Sequence, residues 1–317
     1  MVIATRGPHL EIEVERLSKT YAGGVEAVRG IDFVVAVGEV FGLLGPNGAG
    51  KSTTVGMLTS TVAPSSGRAR LAGFDIVDSA IDARRISAVV TQDAAVDRVL
   101  TGLRNLEIHA RLWGTVRAAA HIAELIEAFG LGEIIERPVG TYSGGQRRRL
   151  EIARALVSRP RVLFLDEPTV GLDTRIRHEL SDLIASMAAD AEMTILLTTH
   201  YLDEAQRLCD RVAIMHEGRI AALDSPQALL DTLGQRLVEL RGISDPTSAI
   251  ASLQAAGVAG DDAFVVGQTI SVPLHSGQAA DVIATVNVLG LPAAEMNSRA
   301  PTLDDVYLRL TGARLAA

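Results

Sequence analysis

One glycine-rich segment constrains this chain more than any other. Gly45-Pro46-Asn47-Gly48-Ala49-Gly50-Lys51-Ser52-Thr53 matches the phosphate-loop pattern G-x-x-x-x-G-K-[ST] at every fixed position. The pattern has a mechanism. Glycine lets the backbone curl so that successive N–H groups point into one concavity. Phosphates held there face the positive end of the helix that starts near Lys51. The Lys51 ammonium then reaches the outer phosphates, and the Ser52 hydroxyl is a ligand for magnesium. The preceding Val40-Phe41-Gly42-Leu43-Leu44 reads as a buried strand, so strand, loop and helix follow in the order the motif requires.

The rest of the first part has the same texture. Residues 10–17 alternate apolar and polar, as a half-exposed strand does. Val162-Leu163-Phe164-Leu165 and Thr194-Ile195-Leu196-Leu197 are short apolar runs that fit strands buried on both faces of a parallel sheet. Helical stretches lie between them, including a helical pattern from about 103 to 136, so this part reads as α/β. A helix start is expected at Asp224-Ser225-Pro226.

Beyond about residue 236 the pattern changes. A strand at 237–241, a helix at 248–256, a hairpin across Gly267-Gln268, a helix at about 278–288 and another at 303–310 make a small α+β appendix. The expected domains are 1–235 and 236–317, which a chain of 317 residues has room for.

Bulk properties exclude several roles. The net charge of −8 argues against non-specific nucleic-acid binding. A single cysteine, Cys209, rules out an intrachain disulfide and fits a reducing compartment. No uncharged apolar run approaches the roughly 20 residues of a spanning helix. Glu11, Glu13 and Glu15 stand where a signal peptide would need an apolar core. The chain alone is expected to be soluble, so a membrane role must come through a partner.

Asp166 and Glu167 close the apolar run 162–165, at the end of a strand where open α/β sheets put their ligand sites. Asp166 suits magnesium, directly or through water. Glu167 suits a water attacking the γ-phosphate. Tyr142-Ser143-Gly144-Gly145-Gln146 reads as a second helix N-terminus offered to phosphate, although an ordinary Ser-Gly-Gly turn fits that pentapeptide equally well on its own. Arg147-Arg148-Arg149 reads as a solvated or partner-facing patch rather than as phosphate ligands. Trp113, the only tryptophan, is expected in the core.

Together these residues resemble an ABC-type ATPase subunit over about residues 10–225. Gly45–Thr53 looks like the Walker A motif, Tyr142–Gln146 the signature motif (with tyrosine where leucine is usual), and Leu163–Pro168 Walker B. Gly171-Leu172-Asp173 looks like the D-loop, His200 the switch histidine, Gln92 the Q-loop glutamine and Tyr21 the adenine-stacking aromatic. The resemblance implies a P-loop NTPase fold of ABC type, with a parallel-sheet core, an antiparallel β part and a helical subdomain from about 93 to 136. It implies ATP and Mg2+ as cofactors, with Ser52, Gln92 and Asp166 at the metal. Glu167 would be the base, and His200 and Gln92 would hold the attacking water. It also implies that Ser143, Gly144 and Gly145 meet the ATP held by the other subunit, that Asp173 lies across the subunit boundary, and that Gln146 and Asp173 belong to the same ATP-binding set. Two chains, identical or related, would then sandwich two nucleotides, at the cytoplasmic face of a membrane and beside a separate polytopic permease.

Three stretches are similar to the drug-resistance, daunorubicin-exporter-like branch: Arg147–Arg154, Asp97–Gly102 with Asn105-Leu106, and Pro301–Leu308 ahead of Leu310-Thr311-Gly312. Drug, antibiotic or lipid-like cargo would follow. An import motor and a soluble ABC ATPase acting on ribosomes or DNA are the competing readings. One phosphate loop and one signature argue against a two-cassette translation protein. The roughly ninety residues between Lys51 and Ser143 leave no room for a long coiled coil. A regulatory module without turnover would be expected to lack Glu167. The appendix carries no catalytic constellation, and a stabilising, dimerising or permease-contacting role all stay open for it.

Overall fold

The buried apolar runs become the strands of one parallel sheet. A computed structural model describes residues 10–92, 96–190, 193–276 and 278–312, and the chain divides into two compact units, 1–220 and 221–317. In the first unit the elements run β1 (Leu10–Thr20), β2 (Glu26–Ala36), β3 (Val40–Leu44), α1 (Lys51–Leu58), β4 (Ser66–Leu71), β5 (Phe74–Asp75), α2 (Ala80–Arg85) and β6 (Ser87–Val90). There follow α3 (Gly102–Trp113), α4 (Ala118–Ala128), α5 (Gly144–Leu156), β7 (Val162–Asp166), α6 (Thr174–Asp190), β8 (Thr194–Thr199), α7 (Leu202–Leu208), β9 (Arg211–His216) and β10 (Arg219–Asp224), which runs past the division.

The central sheet has the order β10-β9-β3-β8-β7-β6. β3 pairs in parallel with β8 and β9, and β7 with β6 and β8. Every residue of β3, β7 and β8 is buried, as expected of strands covered on both faces. A second sheet, β2-β1-β4-β5, is antiparallel and interrupted by bulges. Phe33 of β2 stacks on Phe41 of β3 at 5.1 Å between ring centroids, which joins the two sheets.

The helical pattern expected through residue 136 ends sooner. α3 stops at Gly114, whose left-handed φ of 63° closes the helix. α4 stops at Ala128, where Gly130 (φ 61°) turns the chain and Leu131 N–H returns to the Ile126 carbonyl. Residues 93–95, at the start of this expected subdomain, lie outside the described residues. Trp113 corrects the core expectation: it is 40% exposed at the last position of α3.

The second unit continues with α8 (Pro226–Asp231), β11 (Arg236–Arg241), α9 (Pro246–Ala255), β12 (Phe264–Val266), β13 (Thr269–Leu274), α10 (Ala279–Val288), β14 (Glu295–Arg299) and α11 (Leu303–Thr311). Ser225 caps α8 ahead of Pro226, as expected. The four strands form an antiparallel sheet in the order β12-β13-β11-β14, the split β-α-β-β-α-β arrangement. Val238, Leu240, Ile270 and Val272 of the sheet share a core with Leu253 of α9 and Val282 and Val286 of α10.

Candidate functional site

The phosphate loop sits where β3 gives way to α1. Gly50, immediately before the helix, has φ 103°, and a Cβ there would lie 2.4 Å from the Ala27 carbonyl oxygen. Glycine is therefore required at that position. Lys51 is the first residue of α1 and is 4% exposed. Its Nζ donates to the Gly45 and Pro46 carbonyls at 2.7 and 3.1 Å. The loop borders a cleft of about 420 Å3 that Asn47, Gly48, Gly50, Lys51, Ser52 and Thr53 share with Tyr21, Gln92 and Glu167. Tyr21 is 42% exposed at its rim, with the Lys19 ammonium 5.2 Å from its ring centroid.

The ends of three neighbouring strands supply the polar side chains. At the end of β7, Asp166 Oδ1 accepts from Ser52 Oγ at 3.0 Å and from Thr198 Oγ1 at 2.6 Å. Glu167 follows with φ 47°, a left-handed value uncommon for a residue with a side chain. Its backbone N–H is held by Thr198, by the carbonyl at 3.2 Å and the hydroxyl at 2.9 Å. That turn carries the Glu167 carboxylate to within 3.2 Å of Lys51 Nζ and 3.4 Å of His200 Nδ1. Gln92, just past β6, donates to Glu167 Oε2 at 3.4 Å. Glu167 is 8% exposed, so these contacts form in a largely dehydrated site.

Gln92, Asp166, Glu167 and His200 thus converge on the phosphate loop. Ser143, Gly144, Gly145, Gln146 and Asp173 do not border its cleft. Ser143 and Gln146 cap α5 reciprocally, with Gln146 N–H donating to Ser143 Oγ at 3.2 Å and Ser143 N–H to Gln146 Oε1 at 3.0 Å. Ser143 and Gly144 are exposed at the start of that helix, whereas Gly145 is buried against Ile176. Asp173 Oδ1 accepts from Ile176 N–H at the start of α6. Tyr142 is buried, donates to the Ile134 carbonyl at 2.7 Å and covers Gly102, where a Cβ would meet its hydroxyl at 2.4 Å.

Four side chains escaped the sequence reading. Thr198 holds Asp166 and the Glu167 backbone together, but a threonine in an apolar strand gives no signal of that. Tyr201 lies 4.2 Å from the His200 ring, and the Arg177 guanidinium stands 3.7 Å over the Tyr201 ring. Burial pushes the nearby Glu204 carboxyl up from its ordinary value, against the smaller pull of Thr199 and Thr169. Arg148 overturns the expectation of a solvated arginine patch. It is 8% exposed and donates into the backbone around Glu167. Arg149, half-buried, pairs with Glu179 at 2.8 Å. Alternate residues of a run on a helix face different ways, so a triplet of like residues need not share one environment.

The family model described as ABC transporter matches residues 28–170. The daunorubicin/doxorubicin resistance ATP-binding protein DrrA of Streptomyces peucetius is 40% identical over 313 residues, covering 96% of this chain and 93% of that protein. The Nod factor export ATP-binding protein I of Burkholderia orbicola is 38% identical, covering 95% and 97%. Among solved structures, cbiO1 of Clostridium perfringens, part of the ABC transporter complex cbiONQ, covers 70% of this chain and 90% of its own at 29% identity and a TM-score of 0.65. The chain belongs to the ABC transporter family, among its ATP-binding, ATP-hydrolysing proteins.

Proposed function

We propose that this protein is the ATP-hydrolysing motor of an exporter, closing as a two-ATP dimer to drive a separate membrane permease. The observation that carries the reading is the convergence of Lys51, Gln92 and His200 on Glu167, within 3.2–3.4 Å, beside the phosphate loop. The relatives' names, one a drug-resistance protein and one a Nod factor export protein, support export of a drug, antibiotic or lipid-like cargo. No helix of the described residues is long and apolar enough to cross a membrane, so the pathway would lie in a partner at whose cytoplasmic face this chain works.

In this reading the adenine stacks on Tyr21 and the phosphates take the N–H groups of the loop. The arriving γ-phosphate competes with Glu167 for the Lys51 ammonium, which frees the carboxylate for its base role. The Ser52 hydroxyl and the Asp166 carboxylate, 3.0 Å apart, are the hard oxygen donors that suit magnesium, with Gln92 nearby. Bound there, the ion would neutralise charge on the transferred phosphoryl oxygens. Glu167 accepts the proton of a water whose oxygen attacks the γ-phosphorus, and the bond to the bridging oxygen breaks to release ADP. Gln92 and His200 orient that water. Ser143, Gly144, Gly145, Gln146 and Asp173 meet the ATP of the second chain, so each site is complete only in the dimer. ATP favours the closed state and hydrolysis removes that bias.

The test is a tagged Glu167→Gln variant loaded with ATP and magnesium and recovered from native membranes. It should bind ATP, fail to turn over, remain a dimer and bring down a polytopic membrane protein. Parental turnover would refute Glu167 as the base. Recovery of ribosomes or DNA-repair proteins, with no membrane protein, would refute the transporter role.

A further inference from the structure

We infer that Arg148 is a positioning residue for ATP hydrolysis, setting Glu167 and Gln92 from beneath; the inference rests on the proposed roles of those two residues. Arg148 lies in the second turn of α5, five residues after Ser143. Its guanidinium donates to four backbone carbonyls on two separate segments. Nη1 reaches Thr91 O at 2.7 Å, Nε reaches Pro168 O at 2.8 Å, and Nη2 reaches Asp166 O at 3.1 Å and Glu167 O at 3.3 Å. A second Nη1 contact goes to the buried Glu151 at 3.0 Å, which balances the charge.

The targets are the peptide groups that aim the site. Thr91 O belongs to the peptide unit that leads into Gln92. Asp166 O and Glu167 O flank the left-handed turn at Glu167, a conformation that persists only where its surroundings over-determine it. Thr198 grips that turn through the Glu167 N–H, and Arg148 grips it through the carbonyls. One planar fork therefore fixes the spacing between Gln92 and the carboxylate it meets at 3.4 Å. The same helix begins at Ser143 and packs Gly145 on Ile176, so displacement of its first turns would be felt at Glu167.

A lysine keeps the charge but is a point donor and cannot bridge both segments. In the purified full chain with ATP and magnesium, Arg148→Lys should lower kcat roughly 100-fold, the scale of an ångström of misplacement. KM for ATP should stay at its parental value, and the thermal midpoint should fall by only a few degrees, with the variant folded at the assay temperature. In Arg148→Ala, guanidinium ion added well below denaturing concentrations should restore part of the turnover, because the fork is returned without its tether. Parental kcat in Arg148→Lys would overturn the inference. So would loss of ATP binding or of the fold together with turnover in both variants, which is what a purely structural arginine predicts. Glu167→Gln serves as the reference. If it is inactive while Arg148→Lys is fully active, only the Arg148 inference fails. If Glu167→Gln turns over normally, the base assignment fails first.

Discussion

His109 shows at the residue scale how placement alters chemistry that the sequence leaves ordinary. It lies half-buried on α3, 3.4 Å from Arg154 Nη1. Burial, and secondarily the arginine charge, lowers its pKa to about 4 from the usual 6.5. The unfolded chain therefore binds a proton there between those values while the folded chain does not. Its contribution to stability is complete above pH ~6.5 and declines as pH falls towards 4. Urea unfolding across that range should show a decreasing unfolding free energy, and His109→Gln should flatten the slope. An unchanged slope in the variant would refute the assignment. Lys51, Ser52, Asp166 and Glu167 were legible beforehand because fixed spacing ties each to a strand end or a helix start. Arg148 was not, because the groups that bury it come from residues 91 and 166–168.

At the element scale, β14 is the strand that composition conceals. Glu295-Met296-Asn297-Ser298-Arg299 has little strand propensity, and its pairing with β11 is what extends it. Arg299 then reaches Glu239 on β11 and Asp305 on α11, and both acids are buried. Burial alone would raise the Asp305 pKa, but hydrogen bonds from Arg299 and Thr302 outweigh it and hold the carboxyl below its ordinary value. That contribution is present above pH ~4 and is lost as pH falls further. Asp305→Asn should destabilise the second unit by about 2–4 kcal/mol, somewhat less than a wholly buried pair because Arg299 is partly exposed. Denaturant unfolding of the full chain reads this directly, and a variant within error of the parent would rule the network out as a stabiliser. The strands of the central sheet were visible in the sequence because burial on both faces demands uninterrupted apolar runs.

For the whole molecule, the proposed dimer carries the sharpest consequence. Ser143→Arg places a bulky cation at the exposed start of α5, away from the chain's own phosphate loop. Single-chain ATP binding should stay at the parental level, while the ATP-dependent dimer of the Glu167→Gln background should disappear in sedimentation velocity. A dimer of parental abundance would refute the cross-subunit role.

The motif order by itself determined the family and the parallel-sheet core, because phosphate chemistry demands particular residues at particular spacings. The appendix was legible as α+β from its hairpin signal and its helical stretches. Only the tertiary structure decided that Thr198 clamps the Glu167 turn, that Arg148 is a buried fork rather than a surface charge, and that Trp113 faces outward. It also decided that a polar run at 295–299 becomes a strand. The physical reason is common to all four. Each depends on partners distant in sequence, and burial and backbone pairing are properties of the folded neighbourhood rather than of local spacing.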